Sequence, residues 1–312
     1  MKTENDNFEI IESSQGAQTV IDRLNNLARK GGYVFRGYGK QDELLPNIIR
    51  KSNYTDIEGK LLDDFEKYGS SYFHAATPID FMSYAQHFGL PTRLLDFTYN
   101  PFIALSFALY MPKSSSYKEE LDKEYYYVRY ASLEDNLCMP AIPLNDDIHN
   151  SKLTRTDSLA ARACQCINSV TDLFGNNNLN RSVEAFNEFR DGAAYAYCKQ
   201  EKLKEKLKKH VLLFIDPNQS NQRIIMQQGL FMFPYTLNQD EHLQIINSNT
   251  KVIMIPKELR NELIRYLDTL GYNTFRLMPD LSSICEAVKR RNVDNRTEKS
   301  PKVKKRTKNE TI

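Results

Sequence analysis

A short apolar segment of the chain carries an unusual density of polar side chains that could do chemistry. Six of the thirteen residues at 86–98 are polar and are set among phenylalanines and leucines: Gln86, His87, Thr92, Arg93, Asp96 and Thr98. A buried polar group without a partner costs about 1–3 kcal/mol, so this density predicts a mutual hydrogen-bond network or a ligand site. Arg93 and Asp96 could pair with each other. His87 is either a structural hydrogen-bond former or a catalytic group.

The second candidate is the sequence Phe35-Arg36-Gly37, which we expect at the end of a strand. A guanidinium group offers a planar fork of donors that suits phosphate or carboxylate. Glycine has no side chain, so a ligand can approach its backbone closely. The alternative is that Arg36 forms an internal ion pair, with Asp96 as the candidate partner.

The third candidate is a pair of glutamines, Gln227 and Gln228, in the sequence RIIMQQG. Amides cannot act as general bases at neutral pH, but they can orient a ribose hydroxyl or a base edge. The alternative is that both side chains are simply exposed to solvent on the surface, just before a buried strand.

The elements that must position these residues follow from the apolar pattern. Residues 17–30 have a helical spacing, and 94–98 suits a short strand. Asn100 and Pro101 are good first residues for the helix that follows, which is apolar nearly all round and therefore expected to be buried. Five or six strands are scattered among helices without regular βαβ spacing. This predicts an α+β fold, with a small mixed or antiparallel sheet core, flanking helices and a helical insertion.

The predicted domain organisation is one domain over residues 1–288, with a helical insertion at about 132–210, and a basic disordered tail at 289–312. The tail contains ten Lys or Arg residues against three Asp or Glu. It is almost free of apolar side chains, so burial cannot offset the entropy of ordering it. It is either a solvated tail without a specific partner or a surface for nucleic acid or an acidic partner.

Composition limits the classes of protein to consider. Hydrophobic residues at 41% and charged residues at 26% are typical of a globular chain. No apolar run approaches the roughly 18 residues that span a bilayer, and the first residues lack the apolar region of a secretory signal, so we expect no membrane partner. Five cysteines without a CxxC pair disfavour disulfides and structural zinc, which predicts a cytoplasmic location and no metal. The GxGxxG and P-loop motifs do not occur, which excludes Rossmann and P-loop sites.

The order of the motifs resembles that of the FRG domain family, which is named for its Phe-Arg-Gly motif. The similarity covers roughly residues 33–288 and is interrupted at 112–210. The segments that carry it are FRG at 35–37, LLP at 44–46, QHFGLPTRLLDFT at 86–98, NPFIALSFA at 100–108, RIIMQQGLF at 223–231 and MPDL at 278–281. This resemblance implies a fold rather than an activity.

A more remote resemblance is to the ADP-ribosyltransferases that use NAD. There an Arg-Gly or His-Gly pair ends a strand, and the glycine backbone bonds the nicotinamide carboxamide while the arginine contacts phosphate or ribose, roles that fall here to Gly37 and Arg36. A strand bearing Ser or Thr, here Thr98, leads into the apolar helix. A strand-edge glutamate completes the site, and its place falls to Gln227 or Gln228. The resemblance implies catalytic roles for Arg36, Thr98 and Gln228. It implies cofactor-binding roles for Phe35, Arg36, Gly37, His87, Arg93, Asp96 and Gln227.

The implied function is binding of NAD or a related nucleotide, with NAD as the substrate of an ADP-ribosyltransferase-like or NAD-glycohydrolase effector in bacterial defence or toxicity. Its target would be a protein or a nucleic acid. A glutamine in place of the carboxylate removes the charge that a cationic transition state needs, so Asp96 or Glu241 would have to supply it. Two alternatives stay open. One is a non-catalytic nucleotide-sensing or regulatory module, and the other is a nucleic-acid-associated effector that uses the basic tail.

Overall fold

The structure is a computed structural model that describes residues 7–50, 54, 56–73, 77–110, 124–140, 210–218, 222–281, 283–285 and 288. Eight strands are found in these residues. They are β1 (Phe8–Ile10), β2 (Tyr33–Tyr38), β3 (Leu95–Thr98), β4 (Tyr125–Ser132), β5 (Leu137–Pro140), β6 (Leu213–Asp216), β7 (Gly229–Met232) and β8 (Lys251–Pro256).

The strands form one mixed sheet in the order β1-β8-β4-β2-β3-β7-β6-β5. The pairs β1–β8 and β5–β6 are parallel, and the other neighbouring pairs are antiparallel. The helices that cover the sheet are α1 (Gly16–Lys30), α2 (Asn47–Arg50), α3 (Glu58–Gly69), α4 (Pro78–His87), α5 (Pro101–Tyr110), α6 (Gln222–Gln227), α7 (Gln239–Ser248), α8 (Arg260–Thr269) and α9 (Thr274–Leu277). The predicted α+β fold is confirmed, although the sheet has more strands than the five or six expected.

Two groups of helices share one face of the sheet. Helices α1, α5 and α8 pack over β2, β4 and β8 in one apolar cluster, while α3, α4 and α6 pack over β5, β6 and β7 in another. On the opposite face, α7 packs over a third cluster built on β2, β3, β6 and β7. The two helix groups meet at β2 and β3. At this point the apolar layer between the helices and the sheet is interrupted.

Helix α5 has the burial that its sequence predicts. Every residue in it except Phe107 and Tyr110 is buried. The Asn100 side chain accepts a hydrogen bond from the backbone N–H of Phe102 at 2.9 Å, and Pro101 occupies the first turn, where no N–H partner is needed. The sequence signals therefore place the start of the helix at the end of β3.

Strand β2 is longer than the sequence indicates. Its pairing with β4 continues through Arg36 opposite Arg129 to Tyr38 opposite Tyr127. Arg36 and Gly37 therefore lie within the strand, and the expectation that they follow its end is wrong. The reason is tertiary, because β4 provides a ladder partner for these residues.

The predicted insertion is only partly described, and the predicted tail lies wholly outside the described residues. Residues 137–140, inside the range predicted as a helical insertion, form strand β5 because they pair with β6. The rest of that insertion, 141–209, and the tail, 289–312, lie outside the described residues. Within the described residues, no helix combines the length and apolarity that crossing a membrane requires.

Candidate functional site

A cleft opens where β2 and β3 part. The two strands share one ladder pair, Phe35 with Thr98, whereas β2 pairs with β4 at six positions. Beyond that pair, the side chain of Arg36 occupies the gap between the strands. Its Nη1 donates to the backbone carbonyl of Asp96 at 2.6 Å, and its Nη2 donates to the backbone carbonyl of Glu43 at 2.5 Å. The arginine thus holds the two sides of the gap together.

The Arg36 guanidinium group is a cation with incomplete local compensation. Its Nε is buried and has no hydrogen-bond partner among the described residues. Burial lowers the pKa of Arg36, and the nearby Asp96 and Glu43 carboxylates oppose that shift without hydrogen-bonding to the guanidinium. The alternative of an ion pair between Arg36 and Asp96 is therefore wrong in its geometry, because Arg36 donates to the backbone carbonyl of Asp96 and not to its carboxylate. A half-buried cation with an unpartnered Nε is stabilised further by an anion.

The larger part of the cleft, the arginine lobe, has a volume of about 60 Å³. Three arginines and two acidic residues line it, and the half-buried Phe107 ring adds an apolar surface from α5. The lining residues are Phe35, Arg36, Gly37, Glu43, Arg50, Asp96, Phe97, Thr98, Phe107, Arg223 and Gln227. Arg50 is close enough to lower the pKa of Arg36 further. The lobe is a cationic recess at the edge of an apolar core.

A smaller recess, the histidine lobe, adjoins the first and has a volume of about 40 Å³. It shares Asp96, Phe97, Arg223 and Gln227 with the arginine lobe. Its own polar residues come from α4 and are Ser83, Gln86 and His87. Asp96 therefore lies on the wall common to both lobes.

The side chain of Asp96 is held in place by a short relay. The hydroxyl of Thr92 accepts a hydrogen bond from the backbone N–H of Leu94 at 3.3 Å and donates to Gln86 Oε1 at 2.5 Å. This fixes the orientation of the Gln86 amide, whose Nε2 donates to Asp96 Oδ1 at 2.8 Å. The mutual polar network expected in the segment 86–98 is present for these residues.

Arg93 forms a buried ion pair that is separate from the cleft. Its Nε and Nη2 donate to the Glu58 carboxylate, with the shortest contact at 2.6 Å, and its Nη1 donates to the carbonyl of Pro234. Both side chains of this ion pair are only 5% exposed. The proposed pairing of Arg93 with Asp96 is therefore wrong, and Arg93 lines neither lobe.

His87 lies in the histidine lobe as a neutral imidazole. Its Nδ1 is 3.3 Å from Nη1 of Arg223. A guanidinium can only donate, so Nδ1 accepts and the ring proton resides on Nε2. Burial lowers the pKa of His87, and the Arg223 cation lowers it further, while the Asp280 carboxylate acts in the opposite direction. The ring can therefore donate a hydrogen bond at neutral pH.

The remaining predicted residues separate into two sets. Thr98 is buried, and its hydroxyl donates to the backbone carbonyl of Gln227 at 2.7 Å and accepts from the N–H of Asn100. The buried side chain of Gln227 donates to the carbonyl of Leu277 at 2.8 Å. Gln228 is exposed, has a φ of 45° and does not line either lobe. The cleft thus brings Arg36 and Thr98 together but leaves Gln228 outside.

Gly37 has a structural reason to be glycine. A Cβ atom at this position would lie 1.6 Å from the carbonyl oxygen of Ala104 and 2.8 Å from the backbone nitrogen of Ala108. The backbone of α5 therefore lies directly against β2 here, in the space that the sequence had suggested for a ligand. Gly37 still contributes to the lining of the arginine lobe.

The structure adds Arg50 and Arg223 to the residues that sequence reasoning identified. Arg223 lies one helical turn before Gln227 on α6, so the spacing within RIIMQQG contains a signal for it. Arg50 comes from the short helix α2 and has no local motif that marks it. Among the described residues, no cluster of three or more His, Cys, Asp or Glu is arranged to hold a metal ion.

The fold and the site define a mixed α+β domain with a cationic cleft where strands β2 and β3 of its sheet separate. Residues 31–117 match the sequence model of the FRG domain, so the chain contains an FRG domain. That range includes β2, β3, α4 and α5, while Arg223 and Gln227 are contributed from outside it. No curated protein and no solved structure matches the chain.

Proposed function

We propose that the protein binds NAD or a related nucleotide in the cleft, with the phosphates in the arginine lobe. The observation that carries this proposal is the half-buried Arg36 guanidinium where β2 and β3 separate, whose buried Nε has no partner and which hydrogen-bonds to no carboxylate among the described residues. Arg50 and Arg223 line the same lobe, so three guanidinium groups face two carboxylates there. Arginine binds phosphate oxygens with paired, charge-assisted hydrogen bonds, which suits a pyrophosphate.

The apolar and polar groups around the arginines fit the rest of such a ligand. Nucleotide sites combine apolar surfaces with a few placed polar groups. Phe107 offers an apolar side chain in the arginine lobe, and the neutral His87 offers a donor in the adjoining lobe. The volumes of the two lobes, about 60 and 40 Å³, are small for a dinucleotide. The ligand would therefore extend through both lobes and across their open mouth.

The activity we propose for this site is consumption of NAD, as an ADP-ribosyltransferase-like enzyme or a glycohydrolase. Arg36 and Thr98, two of the three residues to which the resemblance assigns catalytic roles, meet in the cleft. A cytoplasmic location, a protein or nucleic-acid acceptor, and a role in bacterial defence or toxicity belong to the same proposal.

Calorimetry with NAD and chromatographic detection of nicotinamide test both parts of the proposal. Arg223→Ala removes a partly exposed cation of the arginine lobe, and loss of a charged hydrogen bond should weaken NAD binding about 10- to 100-fold. Arg265→Ala, on the exposed side of α8, is the matched control and should bind NAD like the wild type. Absence of NAD binding by the wild-type protein would refute the proposal.

A non-catalytic nucleotide-sensing module is the second candidate. The observation that favours it is Gln228, an exposed amide at the place where the resemblance expects a carboxylate. NAD binding without release of nicotinamide would support this candidate. A nucleic-acid-associated effector is the third, and it depends on the charge of residues 289–312. If deletion of this tail leaves nucleic-acid affinity and its salt dependence unchanged, the third candidate is refuted.

A further inference from the structure

The acidic residues near the cleft decide which group could support chemistry there. Among the described residues, the carboxylates that line the two lobes are those of Asp96 and Glu43. Glu43 lines only the arginine lobe, and its Oε2 accepts a hydrogen bond from the backbone N–H of Gly39 at 2.9 Å. Glu241 lines neither lobe and accepts a hydrogen bond from the Thr236 hydroxyl at 2.6 Å. Asp96 alone among these three faces both lobes.

The two oxygens of Asp96 have different surroundings. Oδ1 accepts the hydrogen bond from Gln86, and no hydrogen bond from a described residue reaches Oδ2. The residue is half-buried, so this second oxygen is available to a ligand in the cleft. Because the Thr92–Gln86 relay fixes the carboxylate, its negative charge is oriented before any ligand binds. Such preorganised charge is the arrangement that stabilises a developing positive charge most effectively.

We infer that Asp96 is the catalytic carboxylate of the proposed NAD reaction and takes the part that the resemblance gives to a strand-edge glutamate. This inference rests on the proposed function. In the step we assign to it, the bond between ribose C1′ and the nicotinamide nitrogen breaks, and its electron pair leaves with nicotinamide. Asp96 stabilises the positive charge that develops on the ribose. It also accepts the proton of the water or acceptor hydroxyl whose oxygen bonds to C1′.

The products of this step balance its reactants. With water as the acceptor, NAD⁺ and water give ADP-ribose, nicotinamide and one proton, which passes from Asp96 to solvent. The reaction needs no oxidant, reductant or metal. The residues of the cleft are consistent with this step, because the arginines would hold the phosphates of NAD while the Asp96 carboxylate faces the ribose.

Asp96→Asn is the substitution that separates charge from shape. The new amide keeps an oxygen that can accept the hydrogen bond from Gln86, so the relay and β3 are retained. We expect the rate constant for nicotinamide release to fall about 100-fold or more, because a charge-stabilising and proton-accepting group is lost. We expect NAD affinity to change by less than about threefold, since the interaction operates mainly in the transition state. The thermal midpoint should be unchanged.

Two further variants identify which acid acts. Glu241→Gln removes a charge outside the cleft and should release nicotinamide at the wild-type rate. Glu43→Gln removes the competing carboxylate of the arginine lobe. If Glu43→Gln reduces the rate as much as Asp96→Asn, or more, the assignment to Asp96 is overturned.

The outcomes for the inference and for the proposed function are distinct. If the wild type releases nicotinamide and Asp96→Asn does so at a similar rate, Asp96 is not catalytic and the proposed function stands. If the wild type binds NAD without releasing nicotinamide, the inference fails and the sensing module is supported. If the wild type does not bind NAD at all, the proposed function itself is overturned.

Discussion

Substitution of Gly37 by alanine tests whether this glycine serves the fold or a ligand. The new Cβ would lie 1.6 Å from the carbonyl oxygen of Ala104, whereas real Cβ atoms essentially never approach heavy atoms closer than 3.0 Å. The atoms in the way belong to the backbone of α5 and cannot rotate aside as a side chain could. Strand β2 and helix α5 would therefore have to separate by about 1.4 Å in a close-packed interior. Overpacking of a core costs about 1–3 kcal/mol and sometimes more, and a contact this short between two backbones places Gly37→Ala at about 3 kcal/mol or above.

Urea denaturation followed by circular dichroism measures this cost directly. A loss of about 3 kcal/mol corresponds to a thermal midpoint lowered by about 6–12 °C for a domain of about 150–250 residues. Gly229→Ala is the matched control, because this glycine also lies in a strand and the nearest atom to its added Cβ would be 3.7 Å away. The control should unfold within about 1 kcal/mol of the wild type.

The result that would refute this reasoning is a Gly37→Ala variant that is as stable as the wild type. If such a variant also lost nucleotide binding, close approach of a ligand would be the reason for the glycine. If it retained both stability and binding, the contact with α5 would be less tight than the structure shows.

Two further predictions concern buried charge. Glu58→Gln leaves the buried Arg93 without its counter-ion and should lower the free energy of unfolding, measured in urea, by about 3–5 kcal/mol. Glu9→Gln, the control in a partly exposed ion pair, should lower it by less than about 1 kcal/mol. Equal losses in the two variants would contradict this prediction. Burial lowers the pKa of His242 in the folded protein, so the unfolded chain binds its proton first and stability falls as the pH drops from about 7 towards 5. His242→Gln retains a donor for the Leu44 carbonyl, and its free energy of unfolding should fall less steeply with decreasing pH, by up to about 1.4 kcal/mol per pH unit. An unchanged slope would show that His242 does not contribute to the pH dependence.

The local parts of the structure follow from short-range signals in the sequence. Asn100 and Pro101 mark the start of α5, because capping and the fixed proline backbone act within one turn. The polar network of 86–98 could be foreseen because its members are separated by only a few residues. The glutamines illustrate the limit of this approach, since a residue pair between a short helix and a short strand gives mixed helix and strand signals. Only the fold shows that Gln227 is buried and Gln228 exposed.

Long-range partners account for what the sequence does not reveal. Arg93 contacts Glu58, 35 residues before it, and Pro234, 141 residues after it. Nothing near Arg93 in the sequence distinguishes these partners from Asp96, which is only three residues away. Similarly, the length of β2 depends on pairing with β4, and the cationic character of the cleft depends on α6.

The distribution of the cleft residues along the chain shows that the cleft is built from more of the chain than the region that matches the FRG domain. Within residues 31–117, β2 and β3 have one ladder pair with each other, while their main partners, β4 and β7, come later in the chain. Without those partners, the edges of both strands would expose unpaired backbone groups, which cost free energy unless they are satisfied. The FRG segment therefore contributes Arg36 and Asp96, and the later strands hold the two residues in place where β2 and β3 separate. Strands β4 and β7, which lie outside the FRG segment, thus stabilise β2 and β3 although these two pair only weakly with each other. Because of this support, the side chain of Arg36 can occupy the centre of the sheet in place of a continuous ladder.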